Sequence, residues 1–302
     1  MSREWRGGTR GGRFGNAFFA FLACHRIGRV VAPVFVAVVA AYFIVAAPHE
    51  RRASCAFADR IGRGGSRSRR LLFAWRQFRT NGTMLFEKLA VFGGAADAVA
   101  IESVGREHLM AAIASGRGAV CLTAHQGGWE IMGQFLARRG GRATLVMHDG
   151  MPPGARAALE RFAAAREFSV LFSDGGPATA AAVVAAIRRG DLVGMMGDRV
   201  QGGRGVATSF LGGEVEFAPG PFAIAAAADV PLLLVFCERT GSRRYRFECV
   251  PEDAGPAPPD ETRTEAVHRR AAFFARRLES VVLRSPEQWG NFFDFWREIG
   301  AR

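Results

Sequence analysis

The sequence predicts an α/β protein, a mixed, largely parallel sheet flanked by helices, preceded by an N-terminal membrane-associated helical region. Three observations carry this prediction. From about residue 98 onward, short apolar runs alternate with helical ones, the pattern of strands covered by helices on both faces. Residues 30–47 form an 18-residue stretch without a charge, borderline in length for a membrane-spanning helix. The net charge of +12 is confined to the first quarter of the chain, where residues 1–80 hold 15 Arg against three acids and the remainder balances. A chain of 302 residues accommodates one large α/β domain plus an appendage, divided here as residues 1–95 and 96–302.

Residues 1–13 are rich in Gly and Arg and are expected to be loose. Residues 14–24 are apolar and aromatic, and His25, Arg26 and Arg29 separate them from the uncharged stretch, which has Pro33 near its start. Six Arg precede that stretch and nine lie between it and residue 80, so neither flank is clearly the positive-inside one. A membrane-embedded or membrane-lying hairpin with both basic flanks on the cytoplasmic face is therefore favoured over a single span. Basic patches suit nucleic acid or anionic lipid. The longest apolar run shares this quarter, which decides for an anionic membrane surface and against nucleic acid. No A-x-A-like site closes the run, so no cleavable signal peptide is expected.

Residues 49–61 and 70–92 read as amphipathic helices. Strands are expected at 99–104, 119–123, 143–147, 169–172, 192–196, 208–211, 231–237 and 244–250. Helical runs lie between many of them, at 107–114, 128–137, 155–165 and 177–188, and an Ala-rich run covers 222–228. A Pro-rich loop at 251–259 leads into a long amphipathic helix at 261–283. The five Cys show no CxxC and no zinc-ligand spacing, which points to reduced thiols and no structural metal. The mean hydropathy of +0.06 and 25 Phe against 2 Tyr point to a greasy surface or cleft.

The most informative stretch is His125-Gln126-Gly127-Gly128-Trp129-Glu130. An expected strand ends just before it and an expected helix starts just after it. The two glycines permit a tight turn that leaves His125 outside the helix. Glu130, inside the helix, is then expected to fold back onto the imidazole, and an imidazole held by a carboxylate is a competent general base. A second segment, Gly190 to Arg199, delivers Asp198 and Arg199 at the carboxyl end of a strand, the edge where α/β sheets bind ligands. In a third, Ser209 to Pro221, Pro219 and Pro221 bracket Gly220 at a helix start, and Phe217 and Ala218 lead into it; backbone N–H groups there suit an anion. A fourth runs Ser285-Pro286-Glu287-Gln288-Trp289 and continues into Asn291 to Trp296.

Together these four segments, in this order, resemble the bacterial lipid A biosynthesis (lauroyl/myristoyl) acyltransferase family of the lysophospholipid acyltransferase superfamily, in a divergent branch. The H-x4-[D/E] signature falls on His125 and Glu130. The resemblance covers roughly residues 14–298. It departs from the family at Gly128, where Asn is frequent, at Met147-His148-Asp149, where relatives often carry an Arg-containing segment, and in the residues after Trp289. The resemblance implies a glycerolipid acyltransferase-like sandwich on the cytoplasmic face of the bacterial inner membrane. It implies transfer of a fatty acyl chain from an acyl carrier protein or CoA thioester to a hydroxyl of a lipid or glycolipid, with no cofactor beyond that co-substrate. His125 is then the base and Glu130 its orienting partner. Gly128, Trp129, Asp198, Arg199, Phe217, Pro219 and Gly220 are expected to contact substrate, Arg199 by pairing with a phosphate or carboxylate. Backbone N–H groups near Gly127 and Gly128 are expected to stabilise the oxyanion. Two alternatives stay open: a catalytically silent membrane-bound scaffold of the same fold, and an acyl hydrolase.

Overall fold

A computed structural model describes residues 21–23, 25–92, 99–129, 131, 142–150, 156, 160, 163, 168–200, 205–253, 258 and 260–296. The N-terminal part is helical: α1 (Arg26–Ala46), α2 (Pro48–Arg60) and α3 (Arg67–Phe92). Then follow β1 (Ala100–Val104), α4 (Arg106–Ser115), β2 (Ala119–Thr123), β3 (Ala143–His148), β4 (Ser169–Ser173), α5 (Pro177–Arg188) and β5 (Leu192–Met196). The chain continues through β6 (Val206–Phe210), β7 (Gly213–Phe217), α6 (Gly220–Ala228), β8 (Leu232–Gly241), β9 (Arg244–Pro251) and α7 (Arg263–Arg284). The helical runs expected at 128–137 and 155–165 lie largely outside the described residues.

Seven strands form one sheet in the order β1-β9-β8-β2-β5-β3-β4, as the alternation of short apolar runs and helices implied. Pairing is parallel throughout except between β8 and β9. Successive side chains of a strand point to opposite faces. Val120 and Leu122 of β2 therefore join one buried cluster with Phe222, Phe274, Leu278 and Trp289, while Ala119 and Cys121 join another with Leu109, Leu145 and Phe247. Both faces are covered, which is why β2 is buried at every position. The long helix α7 starts at a capping box, in which Thr262 accepts from the Glu265 amide and the Glu265 carboxylate accepts from the Thr262 amide.

One expectation needs correction. Strand β6 starts earlier than the expected 208–211, and it pairs with β7 in a separate antiparallel hairpin that the apolar pattern does not announce. The link is two residues, Leu211 (φ 51°) and Gly212 (φ 70°). Mirror-image turns of this kind favour Asn or Gly at the first position, so Leu211 gives no turn signal. Leu211 is held there by a hydrogen bond from its amide to Glu279 and by Arg60 donating to its carbonyl.

Helices α1 and α2 of the apolar segment meet at an elbow of 98°. The cause is Pro48: the residue before a proline avoids helical geometry, and Pro at a first position opens a new helix. No single described helix is long and apolar enough to cross a membrane, although the bent pair Val30–Ala46 and Pro48–Arg60 meets that test jointly. Helix α2 turns inward, with Phe57 and Ala58 in the main core. Helix α1 packs Val36 and Ala32 near Phe86 and Ala90 of α3. Its outer side carries Val30, Val34, Val38, Tyr42 and Val45, each between 62% and 79% exposed. Their spacing of four, four, four and three residues makes one continuous stripe.

Candidate active site

Strands β2 and β5 are parallel neighbours with Thr123 opposite Met196. Two residues further along each chain, that register sets His125 opposite Asp198 at the carboxyl edge of the sheet. The Asp198 carboxylate accepts from the backbone N–H of His125 at 3.0 Å, and its other oxygen lies 2.9 Å from the imidazole Nδ1. Asp198 is 1% exposed and the His125 side chain 29%, so a buried anion backs a ring that reaches solvent. Burial alone would raise the Asp198 carboxyl. His125 beside it, and then Arg199, outweigh this and hold it below its ordinary value.

The carboxylate that meets His125 in the described structure is thus Asp198. Glu130, the partner expected from the sequence, lies outside the described residues. The signal for Asp198 was present in the sequence as an acidic residue at a strand's carboxyl end, but the register of two strands about seventy residues apart cannot be read from pattern alone.

The loop after His125 is pinned from two sides. Gly127 forms a bridge to Cys237 and Gln126 forms one to Trp289. The Gly127 amide donates to the Gln288 carbonyl at 3.1 Å and the Gly128 amide donates to the Cys237 carbonyl at 2.7 Å. Both amides are therefore committed to the protein, which corrects the expectation that they serve an oxyanion. Gly127 has φ +71° and a Cβ there would lie 2.1 Å from the Cys237 oxygen, so only glycine fits. A Cβ at Gly128 would meet the Tyr245 ring at 2.7 Å. Trp129 is half-buried beside this loop.

The second fastening is the strap of residues 285–290 behind the loop. The Gln126 side-chain amide donates to the Ser285 carbonyl, and the Gly290 amide donates to the His125 carbonyl at 2.6 Å. The Gln288 side chain exchanges two hydrogen bonds with the Arg239 backbone, both 2.7 Å. Trp289 is fully buried among Phe57, Phe210, Phe295 and Trp296, at ring distances of 4.8–5.7 Å. From α3, Gln77 donates to the Trp289 carbonyl and Asn81 to the Glu287 carbonyl. Gln77, Gln126 and Gln288 were not singled out as site residues on their own. Gln126 and Gln288 lie in segments without periodicity, and Gln77 is one polar residue within a helix whose pattern does not announce its burial.

The other expected residues separate into groups. Arg199 donates to the Gly290 carbonyl at 2.9 Å and lies 5.1 Å from the Phe293 ring centroid. Burial lowers its pKa, and Asp198 partly offsets this. Phe217 is fully buried, edge-on to Phe210 and Phe274, so it faces the aromatic core. Pro219 and Gly220 open α6, and the preceding Ala218 amide donates to the Gly197 carbonyl at 3.0 Å, which sets the helix start beside Asp198. His148 is exposed at the end of β3, and Asp149 pairs with Arg156 at 2.8 Å. Among the described residues no group of three or more His, Cys, Asp or Glu is arranged to hold a metal ion.

Comparison with known proteins places the chain among lipid acyltransferases. Residues 73–298 match the sequence model of the bacterial lipid A biosynthesis acyltransferases. Phosphatidylinositol mannoside acyltransferases from two strains of Mycobacterium tuberculosis are each 32% identical over 151 residues, 49% of this chain and 46% of the relative. The match thus spans about half the length of these curated relatives.

Proposed function

The chain belongs to the bacterial lipid A biosynthesis acyltransferase family, and from that premise we propose that it is a membrane-associated O-acyltransferase acting on a lipid or glycolipid hydroxyl. The observation that carries the reading is the His125–Asp198 contact at 2.9 Å. A carboxylate on Nδ1 fixes the tautomer with its proton there and leaves Nε2 free to accept one. In the proposed reaction Nε2 takes the proton of the acceptor hydroxyl as its oxygen attacks the thioester carbonyl. The tetrahedral intermediate then collapses, the C–S bond breaks, and His125 returns the proton to the departing thiolate. Asp198 steadies the imidazolium between those steps. The donor is an acyl carrier protein or CoA thioester. Glu130 stays in the proposal as a second acidic residue acting near His125, and Arg199, Gly128, Trp129, Phe217, Pro219 and Gly220 stay as residues shaping the substrate site.

The membrane part of the proposal rests on the exposed stripe of α1 and on the Arg excess of residues 1–80, which together suit the cytoplasmic face of the bacterial inner membrane. The test is acyl transfer from a thioester to glycolipid by the full chain. His125→Ala should abolish it while the protein still sediments with membranes, since general-base help is worth about 10²–10⁴-fold. Activity within about tenfold of the parent would reject the assignment. Free fatty acid in place of acylated lipid as the product would reassign the chain to hydrolysis.

A further inference from the structure

Arg76, Arg79 and Thr80 share one face of α3, being spaced three and four residues apart. That face, the tip of the β8–β9 hairpin and the 285–288 strap border a solvent-open cavity of about 480 Å³. Four guanidinium groups line it: Arg76 and Arg79 from α3, Arg239 from β8 and Arg284 from the end of α7. Two of them are compensated from behind. Arg239 pairs with buried Glu87 through two contacts of 2.9 Å, and Arg284 pairs with Glu238 and Glu248. The one acid in the lining, Glu287, faces Arg63 at 3.6 Å. Arg79 lies over the Trp75 ring at 4.8 Å, and Arg76 forms no ion pair, hydrogen bond or ring contact among the described residues. Among the described residues, two positive charges are therefore left without an acidic partner in a small-molecule-sized cleft. A ligand anion would supply a counter-charge there, and guanidinium forks match phosphate oxygens.

The cavity adjoins the reacting centre through shared residues. Ser285 and Gln288 line it, and the same two residues hold Gln126 and Gly127 through their carbonyls. One strap thus separates the cavity from the loop that carries His125. We propose that this cavity binds the phosphate or diphosphate group of one of the two substrates. The inference rests on the acyl-transfer reading. The phosphate has two possible sources, the nucleotide end of a CoA thioester or the phosphodiester of a phospholipid acceptor.

The experiment uses the full chain carrying His125→Ala, which suppresses turnover without touching the cavity. Binding is measured by calorimetry with inorganic pyrophosphate, CoA, 3′-dephospho-CoA and a short-chain phosphatidylinositol kept below its micelle concentration. The arms are the chain with native Arg76 and Arg79 and the double variant R76A/R79A. Both arginines are exposed, so folding is preserved, and a thermal melt verifies this. Pyrophosphate and one of the two substrate-like probes should bind the double variant about tenfold or more weakly, the effect of losing one or two charge-assisted contacts. Loss confined to CoA, larger than for its dephospho form, names the donor, and loss confined to phosphatidylinositol names the acceptor. R76K/R79K should recover part of the affinity. If every probe binds the double variant within about twofold of the parent, the inference is overturned whatever the fate of the His125 assignment. If the cavity binds as expected but His125→Ala still transfers acyl chains, the catalytic reading fails and the cavity stands.

Discussion

Asp198 accepts from two groups of one residue, the amide and the ring of His125. An Asn in its place keeps the shape but loses the charge and turns one amide N–H toward a donor. Asp198→Asn should therefore lower kcat by about 10²–10⁴-fold with a much smaller change in KM, since the imidazolium forms only during the reaction. Glu130→Gln, measured beside it, weighs the second acid: a loss as large as that of Asp198→Asn would place both carboxylates on His125, and a small one would leave Asp198 as the principal partner. The pH dependence has a definite sign. The folded Asp198 carboxyl lies below its ordinary 3.8, so the stability it contributes is complete above that value and is lost as pH falls through the lower folded one. Acid unfolding of Asp198→Asn, followed by circular dichroism, should lack that component. The residues of the site were legible as types, His125, Asp198 and Arg199 at strand ends, but their pairing was not, because it depends on a register between distant segments. At Gly128 the buried Tyr245 ring occupies the space where a side chain would begin.

Elements set that register. Strands β2 and β5 were readable to the residue, since apolar runs buried on both faces have sharp ends. The β6–β7 hairpin was not, because its turn relies on Leu211 at positive φ, held by Glu279 and Arg60 from other elements. Gly127→Ala tests how firmly the loop is fixed: with φ +71° and a carbonyl 2.1 Å from the added carbon, the loop must move. The variant should lose activity and be destabilised by about 1–3 kcal/mol, checked by denaturant unfolding. Helix α1 makes a separate prediction. Val34 and Val38 are 71% and 63% exposed on the outer stripe. Val34→Asp with Val38→Asp should leave the fold intact and sharply reduce co-sedimentation with anionic vesicles. Unchanged sedimentation would move the lipid-facing surface elsewhere.

At the scale of the whole molecule, the N-terminal helices and the sheet share one set of buried contacts. The class of fold was legible because strand and helix runs alternate, whereas this sharing was not, since it joins distant segments through apolar residues such as Phe57 and through single polar ones. Glu87 of α3 is 7% exposed, accepts both arginine bonds from Arg239 and the Tyr245 hydroxyl at 2.6 Å, and fastens the β8–β9 hairpin. Burial, and then Glu87, raise the Tyr245 pKa above its ordinary 10.0, so the phenol keeps its proton across the physiological range. Gln77 and Asn81 add bonds to the strap behind His125.

Trimming the chain to begin after Phe92, the obvious route to an easily handled soluble fragment, would strip Arg239 and Tyr245 of their acceptor and the strap of its backing. Such a fragment should aggregate or unfold on expression, and limited proteolysis should find no stable core starting there. Keeping the three N-terminal helices attached then becomes a requirement of the protein's own architecture.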